Sequence, residues 1–236
     1  MAAEELWVAW LGTVPYDDAL VLQEDLRARR QGDELPDVLL LLEHPPTYTV
    51  GRRTEGVELL HPPEWYAERG AEVRPTDRGG RATYHGPGQL VGYPVMRVPD
   101  VVEFVRTMER ALVGALADVG VAAEARPRLT GVWAPGHGKI ASIGIHVRRR
   151  ISTHGFALNV DNDLTPFAGI VPCGIEGVTM TSVAAATGRS GLLDEVREHV
   201  ARRYAEAHGR RLRRVSRDAL EAHAPASPAR VASVAS

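Results

Sequence analysis

The chain has 236 residues, of which 44% are hydrophobic and 25% charged, and its formal net charge is −2. That balance is typical of a soluble globular protein, with no basic excess to suggest DNA or RNA as a partner. No apolar run approaches the roughly 18 residues that cross a bilayer, so neither nucleic acid nor membrane is expected as a partner.

The opening MAAEELWVAW places two acids where a signal peptide carries positive charge, and a cytoplasmic location is expected. ELWVAWLG and VLLLLE then read as short strands around a helix in PYDDALVLQEDLRARRQG, which begins at proline and ends at glycine. This is a β-α-β opening.

RGGRATYHGPGQLVGYP, residues 78–94, is the densest glycine and proline stretch. No helix opens behind GPG, so it is not a dinucleotide fingerprint. Two readings stand: a backbone that a ligand approaches closely, or a hairpin with its tight turn at Gly86-Pro87-Gly88. DVVEFVRTMERALVGALADVG follows as a helix, with Val101, Val105, Met108, Leu112, Ala115, Leu116 and Val119 at helical spacing.

GVWAPGHGKI lacks the register of a phosphate loop, because His137 stands where that motif needs lysine. KIASIGIHV and STHGFALNV read as two strands joined through RRR. DND at 161–163 fails as a calcium loop, since Pro166 stands where glycine is required. The nine histidines include no His-x-x-x-His pair, and His44, His85 and His154 lie in separate segments, so no metal is expected.

LLDEVREHVARRYAEAHG gives a late helix, and HAPASPARVASVAS has little periodicity. The expectation is one α/β domain with a mixed sheet, residues 1–214 forming it and 215–236 a flexible tail.

Two solitary residues stand out. Lys139 is the only lysine among 28 Lys plus Arg, and Cys173 is the only cysteine. Arginine could stabilise a thiolate but cannot exchange its proton, whereas a desolvated lysine can do both. The plainer reading is also open: a compositional bias leaves one lysine by chance, and a lone cysteine is ordinary packing. In PCGI, Pro172 and Gly174 place Cys173 in a turn, where free backbone N–H groups could lower a thiol pKa and hold an oxyanion.

RGGRATYHGPGQLVGYP, GKIASIGI, THGFALNV and IVPCGI, in that order and preceded by LLLEHPPTYTVGRR, resemble the octanoyltransferases of lipoate biosynthesis. The resemblance covers residues 37 to 183 and implies the α/β fold of biotin and lipoate protein ligases. It implies an acyltransferase that moves an octanoyl group from octanoyl-acyl carrier protein to a lysine of lipoyl domains, those of 2-oxoacid dehydrogenase E2 subunits and glycine cleavage H protein. No cofactor is implied.

On this resemblance Cys173 is the nucleophile and Lys139 tunes it. The acyl site corresponds to Arg78, Gly79, Gly80, Arg81, Ala82, Thr83, Tyr84 and His85, to Ser142, Ile143 and Gly144, and to Gly155, Phe156 and Ala157. Arg52, Arg53 or the arginines at 148–150 are candidates for guiding acidic partners. The rival readings are an ATP-dependent lipoate ligase of the same fold, a cysteine peptidase pairing Cys173 with His85 or His154, and a non-catalytic lipoyl-domain binder.

Overall fold

The computed structural model describes residues 4–54, 58–171 and 178–222. The predicted opening forms: β1 (Glu5–Thr13) and β2 (Asp37–Glu43) are parallel neighbours joined by α1 (Tyr16–Gln31). Pro15 enters α1, Asp17 and Asp18 occupy its first turn and Arg29 and Arg30 its last, complementing the helix dipole.

Six further strands complete the main sheet: β6 (Gln89–Val95), β7 (Glu124–Arg126), β8 (Leu129–Ala134), β9 (Gly138–Arg148), β10 (Ile151–Asn159) and β11 (Arg211–Arg214). The spatial order is β11-β1-β2-β6-β10-β9-β8-β7, parallel from β11 to β2 and antiparallel thereafter. β2 is buried on both faces, which is why it reads as an unbroken apolar run.

Alternation sends Leu39 and Leu41 to one face, where Met108, Leu112 and Leu116 of α3 (Val101–Asp118) and Val196, Val200 and Tyr204 of α5 (Leu193–Ala207) cover them. Asp100 starts α3 by accepting from Glu103 N at 2.8 Å. Val38, Leu40 and Leu42 go to the opposite face, against α1.

A second sheet, which the sequence did not predict, joins β3 (Thr47–Val50) to β4 (Glu72–Pro75) and β5 (Thr83–His85) in the order β4-β3-β5. It is bound to α1 through Arg74 and Asp17, at 3.1 Å, and through the stacking of Tyr16 on His85. Tyr48, Tyr66, Tyr84 and Phe167 form a small separate core beneath it.

Two expectations are corrected. The turn at Gly86–Gly88 closes no hairpin, because β5 pairs with β3 whereas β6 pairs with β2 and β10. The turn hands the chain from one sheet to the other, Gly88 N donating to Glu43 Oε1 at 2.6 Å and Gly88 O accepting from Asp161 N at 2.9 Å. Ordered structure also passes residue 214: Ser216 caps α6 (Arg217–Glu221), Leu220 is buried, and Arg29 Nη1 donates to Leu220 O at 2.8 Å. One helical turn with one apolar anchor has no period to read, so it passed for tail. Residues 223–236 lie outside the described residues. Among the described residues, no helix is long and apolar enough to cross a membrane.

Candidate active site

A cavity of 220 Å³ opens on the α1 face of the main sheet. Its origin is the size of alternate side chains. Ser142 faces Ala157 and Gly144 faces Gly155 across β9 and β10, so a row of small residues leaves a trough where larger ones would fill the layer. Ile143 and Phe156 also reach the lining.

The loop at 78–82 is the roof. Gly79 N donates to Ile145 O at 2.9 Å, while Arg52 N and Arg53 N donate to Arg78 O and Gly80 O, each at 3.1 Å. So close an approach needs glycine below it: a Cβ on Gly144 would stand 2.5 Å from Gly79 O. Arg78 is buried and donates through Nη2 to Thr49 O and Thr49 Oγ1, both at 2.8 Å. Glu58 clamps the next residues, accepting from Arg81 Nη1 at 2.5 Å and Ala82 N at 3.0 Å, and its carbonyl accepts from Val171 N at 3.0 Å.

Lys139 lines the cavity at the start of β9 and is only 2% exposed. Its backbone is paired with the chain that follows the PCG motif: Lys139 N donates to Thr179 O at 2.8 Å, and Thr181 N to Lys139 O at 2.9 Å. Its Nζ lies 5.5 Å from the Trp133 ring centroid, a position suited to an ammonium over an aromatic face. Gly131, at φ +121°, leaves it room, since a Cβ there would come 2.7 Å from Lys139 Cε. Cys173, with Pro172 and Gly174, lies outside the described residues.

The lining also includes Tyr16, His85, Tyr93 and His154. Gln89 donates its amide to Tyr84 O and Asn159 Oδ1, so its Oε1 accepts from His85 Nδ1 at 2.9 Å. Behind it, His44 Nδ1 donates to Val14 O at 2.6 Å and its Nε2 accepts from Tyr93 Oη at 2.7 Å. Burial lowers the pKa of His44 to about 4 and that of His85 well below the usual histidine range. Burial likewise pushes the Tyr16 phenol up to about 12.

The site residues expected from sequence are thus brought together, apart from Gly79 and Tyr84, which are absent from the lining, and Cys173. Alternation along β5 turns Thr83 and His85 to the trough and Tyr84 to the other side, against Tyr48 at 4.9 Å and Phe167 at 5.7 Å. Gly79 borders an outer cleft with Asp77 and His146. His44 and His85 do meet, with ring centroids 5.5 Å apart, but both spend their nitrogens on hydrogen bonds. Among the described residues no three His, Cys, Asp or Glu side chains gather as a metal set.

Sequence reasoning missed Glu58 and Glu109. Glu109 is fully buried and accepts from Gly131 N at 2.9 Å and Arg106 Nη1 at 2.6 Å, so it supports the glycine that makes room for Lys139. A signal existed: Glu109 falls four residues after Val105 and three before Leu112, inside the apolar stripe of its helix. Glu58 has no such signal.

Residues 15–205 match the lipoyl protein ligase A/B catalytic domain family. The chain is 48% identical over 199 residues to an octanoyltransferase of Mycobacterium tuberculosis, covering 82% of this chain and 83% of that one. It is 46% identical over 202 residues to an octanoyltransferase of Acidothermus cellulolyticus, covering 83% and 88%. Among solved structures it resembles a lipoate-protein ligase A bound with ATP, with a TM-score of 0.72 at 19% identity over 94% of this chain and 92% of that one. A bipartite lipoate protein ligase of Thermoplasma acidophilum superposes at a TM-score of 0.71 and 20% identity, over 93% and 90%. These two likenesses establish the shared fold.

Proposed function

This chain belongs to the octanoyltransferases, within the lipoyl protein ligase A/B catalytic domain family, and on that premise we propose that it moves an octanoyl group from acyl carrier protein to a lysine of a lipoyl domain through a thioester on Cys173. The observation that carries this reading is the placement of the chain's one lysine, buried on the wall of a trough floored by small residues and paired through its backbone with the segment that follows the PCG motif.

The chemistry proceeds in two exchanges. The Cys173 thiolate attacks the octanoyl carbonyl carbon, the carbon–sulfur bond to the carrier breaks, and Lys139 as ammonium gives its proton to the departing carrier thiolate and is left neutral. No external activation is required, because one thioester replaces another. The acceptor's lysine amine then attacks the acyl-enzyme, Lys139 takes the proton that this nitrogen loses, and Cys173 departs as thiolate with the amide formed. Backbone N–H groups near Cys173 or in the 78–85 loop would hold the oxyanion. The residues flooring and roofing the trough, Ser142 to Gly144, Gly155 to Ala157 and the 78–83 loop with His85, take the acyl chain.

Burial of the chain contributes about 0.8 kcal/mol per methylene, so two carbons more or fewer change affinity by only about 1.6 kcal/mol. Length selection therefore belongs to the walls of the trough. Arg52, Arg53 and the arginines at 148–150 are exposed and suited to steering acidic partners, which makes the loading rate fall as salt rises. The test is Cys173→Ala with octanoyl-acyl carrier protein: transfer disappears and no covalent octanoyl adduct forms. A variant that still acquires the adduct removes Cys173 from the reaction.

A further inference from the structure

The residues that line the cavity differ in accessibility, and the exposed ones mark its mouth. They are Arg53, Arg128 and Thr130; every other described residue of the lining is buried or half-buried. Arg53 is held to the roof, its backbone N–H donating to Gly80 O at 3.1 Å, while Arg128 stands in the turn between β7 and β8. A molecule entering the trough meets both arginines.

The charge around this mouth is one-sided. The described lining holds Arg53, Arg78, Arg81, Arg128 and Lys139 and contains no aspartate or glutamate. Arg81 is bound to Glu58, and Arg78 to Thr49. Arg53 and Arg128 make no side-chain hydrogen bond or ion pair among the described residues. Such a mouth attracts an anion, yet the octanoyl thioester itself is uncharged.

The local backbone is committed to the placement of Arg128. Arg126 pairs with Leu129 across the two-residue turn Pro127-Arg128, in which Arg128 takes φ +65°, a position where glycine or asparagine is usual. On the same hairpin Arg126 is engaged by Glu124 and by the Trp133 ring, whereas Arg128 reaches the cavity.

Reach identifies the anion. Trp133 faces Lys139 across the β8–β9 ladder and Arg128 precedes Trp133 by five residues, so at most about 18 Å of extended chain separates the two levels. A carrier's 4′-phosphopantetheine arm has about thirteen bonds from sulfur to phosphorus, or roughly 15 Å at the extended span of a three-bond residue. Its phosphodiester is the arm's only charge.

We propose that Arg128, together with Arg53, forms a phosphate subsite at the mouth of the trough, which holds the phosphodiester of the carrier's 4′-phosphopantetheine arm while the thioester lies at Lys139. The proposal rests on the acyl-transfer reading above. It differs from steering, because the contact is with the arm itself and not with the acidic surface of a protein partner.

Two small donors isolate that contact: S-octanoyl-4′-phosphopantetheine and S-octanoyl-pantetheine, which differ by the phosphate alone, each tried beside octanoyl-acyl carrier protein with one lipoyl domain as acceptor. In the wild-type protein the ratio of their kcat/KM values is expected to be about 100, from two charge-assisted contacts of about tenfold each. Arg128→Gln is expected to lower this ratio about tenfold, and Arg53→Gln combined with Arg128→Gln to bring it near one, the change lying in KM for the phosphorylated donor. A wild-type ratio near one, a ratio unchanged in both variants, or transfer from octanoyl-acyl carrier protein with none from either small donor overturns the phosphate subsite. If octanoyl-acyl carrier protein also gives no transfer, the acyl-transfer reading fails instead.

Discussion

The two faces of the main sheet are built from neighbouring strands and serve opposite ends. Toward α3 and α5, large side chains such as Leu39, Leu41, Leu90 and Leu158 pack in one cluster with Leu112, Leu116, Val196 and Val200. Toward α1, the middle of β9 and β10 carries Ser142, Gly144, Gly155 and Ala157, and the layer opens into the cavity. Side-chain size at every second position therefore decides which face stores stability and which face can hold a substrate.

The sharpest way to break this contrast is at Lys139. Lys139→Arg keeps a cation in the trough but removes proton exchange, and kcat is expected to fall about 10²–10⁴-fold, with melting little changed. Near wild-type turnover in that variant would contradict the proton-transfer role. On the packed face the pattern reverses: Leu112→Ala is expected to cost about 2–5 kcal/mol in denaturant unfolding while activity per folded molecule persists.

Acid separates the faces more gently. Above the usual histidine value of 6.5 both folded and unfolded chains hold His44 neutral; below it the unfolded chain takes a proton that the buried ring refuses until about 4. Stability is thus fully present above 6.5 and declines as pH falls toward 4, by on the order of 3 kcal/mol from His44. His85, His154 and His208 shift in the same direction. His44→Gln is expected to flatten the melting temperature between these two pH values. The smallest effect is at the roof: Gly144→Ala sets a methyl 2.5 Å from Gly79 O, so the roof must shift, and the variant is expected to raise KM for the acyl carrier about tenfold and to lose about 1–3 kcal/mol in denaturant unfolding.

How much of this was legible depended on the length of each signal. α1, α3, α5 and the long strands β1, β2, β9 and β10 announce themselves through caps and periodicity sustained over several turns or pleats. β3, β4 and β5 have four residues or fewer, and their partners are distant in the chain, so local pattern could not assemble the second sheet. Without that sheet, the Gly86–Gly88 turn was open to a hairpin reading.

Within the site, Lys139 was legible because it is unique, and the 78–83 loop because glycine is dense there. Ser142, Ile143, Gly144, Gly155, Phe156 and Ala157 came through family resemblance, since small residues on a strand have many explanations until a cavity is seen above them.

The central claim is that Cys173 carries the acyl group. Its most direct test is intact-mass measurement with peptide mapping after mixing the protein with octanoyl-acyl carrier protein and no acceptor. The expected result is a mass gain of one octanoyl group, mapped to Cys173, that disappears when a lipoyl domain is added. No gain, or an octanoyl group mapped to another residue, would contradict it.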